Sequence, residues 1–198
     1  GSRAGVQRIV VVSIIGIDRF TAGYMAAKVA HERAIQAGPI PVRLLRAAQF
    51  HELVSQFVEW GRQGRTPGQT PGQTPGQTNV SYVPKMQTQL VAARTVAQAL
   101  AGLATDVVTA PASPAPILEI AGPRVENLAD AAVRLVARRG DPVRIEGVID
   151  PTDPDRGLYE EGVQLPGPRA ILAGPTFDEW LDASSPDRGI DPGGLAAT

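Results

Sequence analysis

Ile9-Val10-Val11-Val12 is an unbroken run of β-branched residues, the pattern of a strand covered on both faces in a parallel sheet. Ser13 stands at its end, and Ser13 to Thr21 reads as a loop into a helix over about Ala22–Ala37. Ala26, Ala27, Val29, Ala30, Ala34 and Ile35 give that helix a small apolar face, and Gly38-Pro39 stops it. Pro41 to Arg46 is the next strand. A helix over about Phe50–Trp60 follows, with Leu53, Val54, Phe57 and Val58 on one side. Strand, helix, strand, helix in this order predicts βαβ units and an α/β fold with a parallel sheet.

Residues 66–77 break the pattern with three tandem copies of Thr-Pro-Gly-Gln. Proline and glycine in every copy exclude helix and strand, so residues 65–79 are expected to form a flexible insertion. A proline-rich docking site is the sharper reading and the less favoured one. Beyond it, Val80–Pro84 reads as a strand and Gln89–Ala104 as an alanine-rich helix. Pro111–Pro116 reads as a loop, and Ile117–Ile120 as a strand closed by Gly122-Pro123. Residues 126–139 predict a helix with Leu128, Ala132, Leu135 and Val136 inward and arginines at its C-terminal end, where the dipole favours them. Val143–Val148 alternates as a half-exposed strand does. Asp150, Asp153 and Asp155, broken by prolines, read as a solvated turn that lacks the glycine and closing glutamate of a calcium loop. Phe177–Leu181 is a short amphipathic helix, and residues 183–198 read as a disordered tail.

With 198 residues and 43% hydrophobic content the chain is long enough for one domain with a core. A net charge of −1 gives no reason to expect nucleic acid or an acidic membrane as partner. The absence of cysteine excludes disulfides and thiolate metal sites and is compatible with the cytoplasm. No apolar stretch approaches the roughly 18 residues that span a bilayer, and no signal-peptide pattern precedes the first strand. Gly1-Ser2 reads as a cloning scar or the edge of a longer chain. Oligomeric state is open.

Candidate chemistry centres on Tyr24 and Lys28. Four residues apart on a helix, their side chains share a face. A phenol ordinarily titrates near pH 10, and a fixed positive charge nearby lowers that value into reach of acid–base work. Ser13, close upstream, offers a hydroxyl to hold a carbonyl oxygen while a phenol exchanges its proton. The chain has only two lysines, Lys28 and Lys85, against seventeen arginines, so a lysine at this place is a choice of a compact point charge over a fork. The plainer alternative is a Tyr-Lys pair on a helix surface. Lys28 and Glu32 are also spaced for a helix ion pair. His31 and His51 lack a third ligand at metal spacing and read as ordinary surface or supporting histidines, so no metal is expected.

Arg8–Gly16, Tyr24-Met-Ala-Ala-Lys28 with Glu32, Val42–His51, Ala121-Gly122-Pro123 and Phe177–Leu181 together resemble the short-chain dehydrogenase/reductase superfamily, and within it the atypical NmrA-like members. The likeness spans roughly residues 5–182, interrupted by the repeat. It implies the C-terminal portion of a Rossmann-type sheet with flanking helices and a small substrate-side region, binding NAD or NADP at the carboxyl ends of its strands. Tyr24 would then be the proton donor or acceptor, Lys28 a ligand of the nicotinamide ribose, and Ser13 the residue that orients the carbonyl. Ala47 and Ala48 would lie beside the cofactor, with Gln49 and Phe50 as substrate walls. The Gly-rich turn that cradles a pyrophosphate at a helix N-terminus has no counterpart in the chain. The expectation is therefore weak or absent NAD(P) binding by this polypeptide alone. The implied reaction is hydride transfer to or from a small carbonyl or quinone-like substrate. The alternatives are a non-catalytic dinucleotide sensor, and sugar-nucleotide epimerase or dehydratase chemistry.

Overall fold

The computed structural model describes residues 4–63, 79–105 and 116–184. The repeat insertion lies outside the described residues except at its C-terminal edge, as do most of the Pro111–Pro116 loop and nearly all of the tail.

The first βαβ unit forms where hydrophobic patterning places it. Strand β1 (Ile9–Ile14) leads through a 3₁₀ turn (Ile17–Arg19) into α1 (Gly23–Gln36), and β2 (Val42–Ala47) returns parallel to β1. Gly16 makes the turn with φ 74°, a left-handed conformation that glycine adopts without strain. In this register Ser13 faces Arg46 and Ile14 faces Ala47, so β1 and β2 end side by side. Strand β5 (Leu118–Ala121) extends the sheet beyond β2, and β8 (Ile171–Leu172) extends it beyond β5, all parallel. The order is β1-β2-β5-β8. Among the described residues β1 has β2 as its one strand partner, although its composition is that of an interior strand.

Helix α3 (Ala93–Thr105) packs on β1 and β2 and closes a small core around Leu45, Val96, Ile120 and Ala121. A second and larger core lies to the side. There α2 (Leu53–Arg62), α4 (Leu128–Arg139) and α6 (Phe177–Ser184) pack with β3 (Val80–Pro84) and β7 (Arg144–Val148), which pair in parallel. Val54, Val83, Leu128, Leu135 and Phe177 are its buried centre. A short antiparallel pair, β4 (Gln87–Thr88) with β6 (Glu126–Asn127), and a five-residue helix, α5 (Arg156–Glu160), complete the described elements.

Three local expectations are corrected. Residues 89–92 are not helical: Val91 bridges Phe50, and Gln89 donates to the Gly122 carbonyl oxygen at 2.6 Å. The close crossing requires glycine, because a Cβ at Gly122 would collide with the Leu90 backbone. Phe50 lies in that bridge rather than in α2, which begins at Leu53. Residues 126–127 form β6, and Asn127 then caps α4 by accepting from the Ala129 N–H at 3.0 Å. Tertiary pairing has overridden alanine-rich helix propensity in the first case.

Candidate active site

At the carboxyl ends of β1 and β2 a cavity of about 640 Å³ opens, where a parallel α/β sheet ordinarily binds its ligand. Ser13, Tyr24, Lys28, Ala47, Ala48, Gln49 and Phe50 all line it. Strand β1 delivers Ser13, and the first two turns of α1 deliver Tyr24 and Lys28 on one side of the helix, as a spacing of four requires. The end of β2 and the turn after it deliver the other four.

Ser13 is 3% exposed, and its Oγ has no hydrogen-bond partner among the described residues. A buried hydroxyl left unpaired is a group poised for something that enters the cavity. Tyr24 is 63% exposed, so its ring reaches from the cavity mouth toward solvent. Lys28 Nζ donates to the Val12 carbonyl oxygen at 3.4 Å, which draws its stem across the end of β1 toward Ser13.

Lys28 does not pair with Glu32, which corrects the helix ion pair expected from their spacing. Glu32 is gripped instead by Arg46 from β2, with Nε to Oε1 at 3.1 Å and Nη2 to Oε2 at 2.9 Å. The other arm of Arg46 reaches Asp18 at 2.7 Å. A guanidinium fork matches both oxygens of a carboxylate, whereas an ammonium meets one.

The acidic stretch 150–155 is corrected as well. Asp150, Asp153 and Asp155 line the cavity wall facing α1. Asp155 is 7% exposed and accepts from the Thr21 N–H and Oγ1, both at 2.7 Å, and from the Ala22 N–H at 2.9 Å. It thus caps the N-terminus of α1 from 133 residues away, where Ala22 has no side chain that could. Burial works to raise its carboxyl, and the hydrogen bonds from Thr21 and Ala22 outweigh that and hold it below its ordinary value.

The remaining wall is aromatic. Phe20, Tyr24, Phe50, Phe57, Trp60 and Tyr159 line the cavity, six of the nine Phe, Trp and Tyr residues in the chain. Phe20 and Tyr159 stack at a tilt, 5.2 Å between centroids. Burial, reinforced by Asp153 and Asp155, pushes the Tyr159 phenol up to about 12, so it remains a neutral donor in ordinary buffers. Sequence reasoning missed Phe20, Trp60, Tyr159 and Asp155 as part of this site, because nothing in their local spacing links them to Tyr24. Phe57 and Trp60 do stand one turn apart on α2, a signal that also fits core packing.

His51 is likewise not a surface residue. It is fully buried between Phe177 and Trp180, each ring centroid 5.4 Å away, and it faces the larger core rather than the cavity. Among the described residues no group of three His, Asp or Glu is placed to hold a metal ion. No described helix is long and apolar enough to cross a membrane.

Fold and site together define a Rossmann-type α/β protein, with its cavity at the strand ends. Solved structures share the fold. An NADPH-dependent quinone oxidoreductase from Escherichia coli superposes with a TM-score of 0.58 at 15% identity, covering 91% of this chain and 68% of that one. Its complex with NADPH gives 0.59, also at 15% identity, covering 91% and 66%. A UDP-N-acetylglucosamine 4-epimerase from Methanobrevibacter ruminantium M1 gives 0.53 at 9% identity, covering 91% and 61%. The chain thus spans 61 to 68% of the length of these neighbours. No protein-family model matches it, and no curated protein matches it in sequence.

The cavity residues fit one end of a nicotinamide dinucleotide. The unpaired Ser13 hydroxyl, the Lys28 ammonium and the small Ala47 and Ala48 side chains suit a flat, polar-edged ring and a ribose. No described residues fit the pyrophosphate: the helix N-terminus at the cavity, that of α1, already holds the Asp155 carboxylate.

Proposed function

We propose that this chain carries the catalytic and substrate-binding part of an NAD(P)-dependent oxidoreductase of NmrA-like type, acting on a small planar carbonyl or quinone. The observation that carries this reading is the convergence of Ser13, Tyr24 and Lys28 on a cavity walled by six aromatic rings. Flat rings gain from offset or edge contact with such walls. Three aspartates and a single cation line the cavity, which disfavours an anionic nucleotide-sugar there. The fold shared with the quinone oxidoreductase adds support, and the epimerase-like alternative is the one the charges oppose.

The cofactor would supply the hydride to the substrate carbon. Ser13 Oγ would donate to the carbonyl oxygen and hold it, and the Tyr24 phenol would give that oxygen its proton. Lys28 would hold the cofactor ribose and stabilise the phenolate left on Tyr24. The reverse direction uses Tyr24 as base.

Quenching of tryptophan fluorescence by a naphthoquinone tests the substrate class without any cofactor. Saturable quenching is expected in the wild type and is lost in Trp60→Phe, because Trp60 lines the cavity whereas Trp180 stacks on Phe177. A UDP-hexose that competes with the quinone would instead support the epimerase reading. With a Gly-rich dinucleotide-binding half supplied, Tyr24→Phe should lower quinone turnover about 10²- to 10⁴-fold with binding unchanged. Unchanged turnover would remove Tyr24 from the reaction.

A further inference from the structure

Arg46 lies behind the Ser13–Lys28 wall rather than in the cavity lining, yet it decides which carboxylate Lys28 can meet. Lys28 and Glu32 stand four residues apart on α1, the spacing at which lysine and glutamate ordinarily pair. Glu32 is 4% exposed and is the one fully buried residue of that helix. A buried carboxylate requires a cation, and two cations compete for it.

We infer that Arg46 is a positioning residue for Lys28: by occupying both oxygens of Glu32, it keeps the ammonium out of an ion pair and turned to the cavity. The geometry supports each part. Arg46 spends two nitrogens on Glu32, at 3.1 and 2.9 Å, and a third on Asp18. Lys28 is left with the Val12 carbonyl oxygen at 3.4 Å and no salt bridge among the described residues. The carboxylates across the cavity are engaged locally. Asp155 binds Thr21 and Ala22, Asp153 accepts from the Asp155 N–H, and Asp150 accepts from Thr152. The register carries the device, because Arg46 faces Ser13 across β1 and β2. One strand position thus sets the fork directly behind the residues that face the ligand.

The meaning of this device for catalysis rests on the oxidoreductase reading. Its physical content does not, and it can be read with no cofactor or substrate. The chain has two lysines, so acylation of lysine side chains by an N-hydroxysuccinimide ester resolves into two peptides by mass spectrometry, with Lys85 as internal reference. In Arg46→Met the freed Glu32 captures Lys28, and an ammonium held in an ion pair is less available to the ester. Lys28 reactivity relative to Lys85 should fall roughly three- to tenfold. Adding Glu32→Gln to Arg46→Met should restore it, a rescue that a merely structural role for Arg46 would not produce. If Arg46→Met fails to fold, Arg46→Gln is the variant to measure. Its neutral amide can meet one oxygen of Glu32 and leaves the other to Lys28, so a fall of about twofold or more is expected. Unchanged Lys28 reactivity in whichever variant folds, or a fall that Glu32→Gln does not reverse, would overturn the inference. Neither result would alter the Trp60 quenching that tests the substrate class.

Discussion

Helices α1 and α4 have similar lengths and opposite means of attachment. Six residues of α4 are buried (Leu128, Ala129, Ala131, Ala132, Leu135 and Val136), all of them apolar. Its ends are finished locally, by Asn127 at the N-terminus and by Gly140 in a left-handed conformation at the C-terminus. The buried residue of α1 is Glu32, a charge, and its apolar positions are at best half-covered. What holds α1 is polar and comes from elsewhere: Arg46 at its third turn, Asp155 at its N-terminus, Val12 beneath Lys28. Burial of apolar surface carries most of the attachment of α4, with ion pairs from Arg134 and Arg138 at its surface, whereas hydrogen bonds carry most of that of α1. The helix that carries candidate chemistry is thus the one placed by directional contacts. The helix that carries none does the work of stabilising the chain.

That contrast breaks most visibly on truncation. Leu135→Ala, in the centre of the larger core, should lower unfolding free energy by about 2–5 kcal/mol, the range for a leucine whose cavity cannot collapse. Val29→Ala, half-buried on α1, should cost less than about 1 kcal/mol. Urea melts of both variants check the pair, and equal losses would mean that α1 is held by packing after all.

Asp155→Ala comes next in size. It removes a cap from α1 and leaves the Thr21 and Ala22 N–H groups without their acceptor, at a cost of about 1–2 kcal/mol. The same loss should appear in the wild type on acidification. Because the folded carboxyl titrates below its ordinary value, its contribution is intact above about pH 4 and disappears as pH falls through the folded value. The Trp60 response to quinone should weaken with it, since the 150–155 wall and α1 meet through this carboxylate. A cap whose loss leaves quinone binding untouched would show that the two sides of the cavity are fixed independently.

Local signals made one half of this site legible. A β-branched run, a helix stop at Gly38-Pro39 and the four-residue spacing of Tyr24 and Lys28 are short-range, and they place Ser13 at the end of the first strand and Tyr24 and Lys28 on the first helix. The other half depends on contacts more than 100 residues apart. Asp150 to Asp155 have the composition of a solvated turn, and nothing nearby in sequence announces that α1 lacks a cap of its own. The partner of Glu32 is hidden at shorter range, 14 residues away. The helical neighbour Lys28 is visible in sequence, whereas the better-matched Arg46 becomes a neighbour only through the β1–β2 register. Residues 89–92 show the same override, with the helical pattern of the alanine-rich segment that follows giving way to a bridge between Phe50 and Val91.

The larger core carries a polar exception of its own, and its effect appears only as pH falls below about 6.5. His51 sits fully buried against Phe177 and Trp180, with neither ring nitrogen in hydrogen-bond geometry. Burial lowers its pKa, against weaker opposing contributions from the Leu90 backbone, Glu52 and Glu126. The folded chain therefore keeps the ring neutral at a pH where the unfolded chain has begun to bind a proton. Stability should be constant above about pH 7 and decline as pH falls below about 6.5, flattening once the folded ring also titrates. Each pH unit between the two values costs about 1.4 kcal/mol. His51→Leu removes the titration, so its urea midpoint should be flat between pH 7 and pH 5.5 where the wild type slopes. Parallel slopes in the two proteins would assign the acid sensitivity of this core to another group, and the polar side of the molecule would then account for all of it.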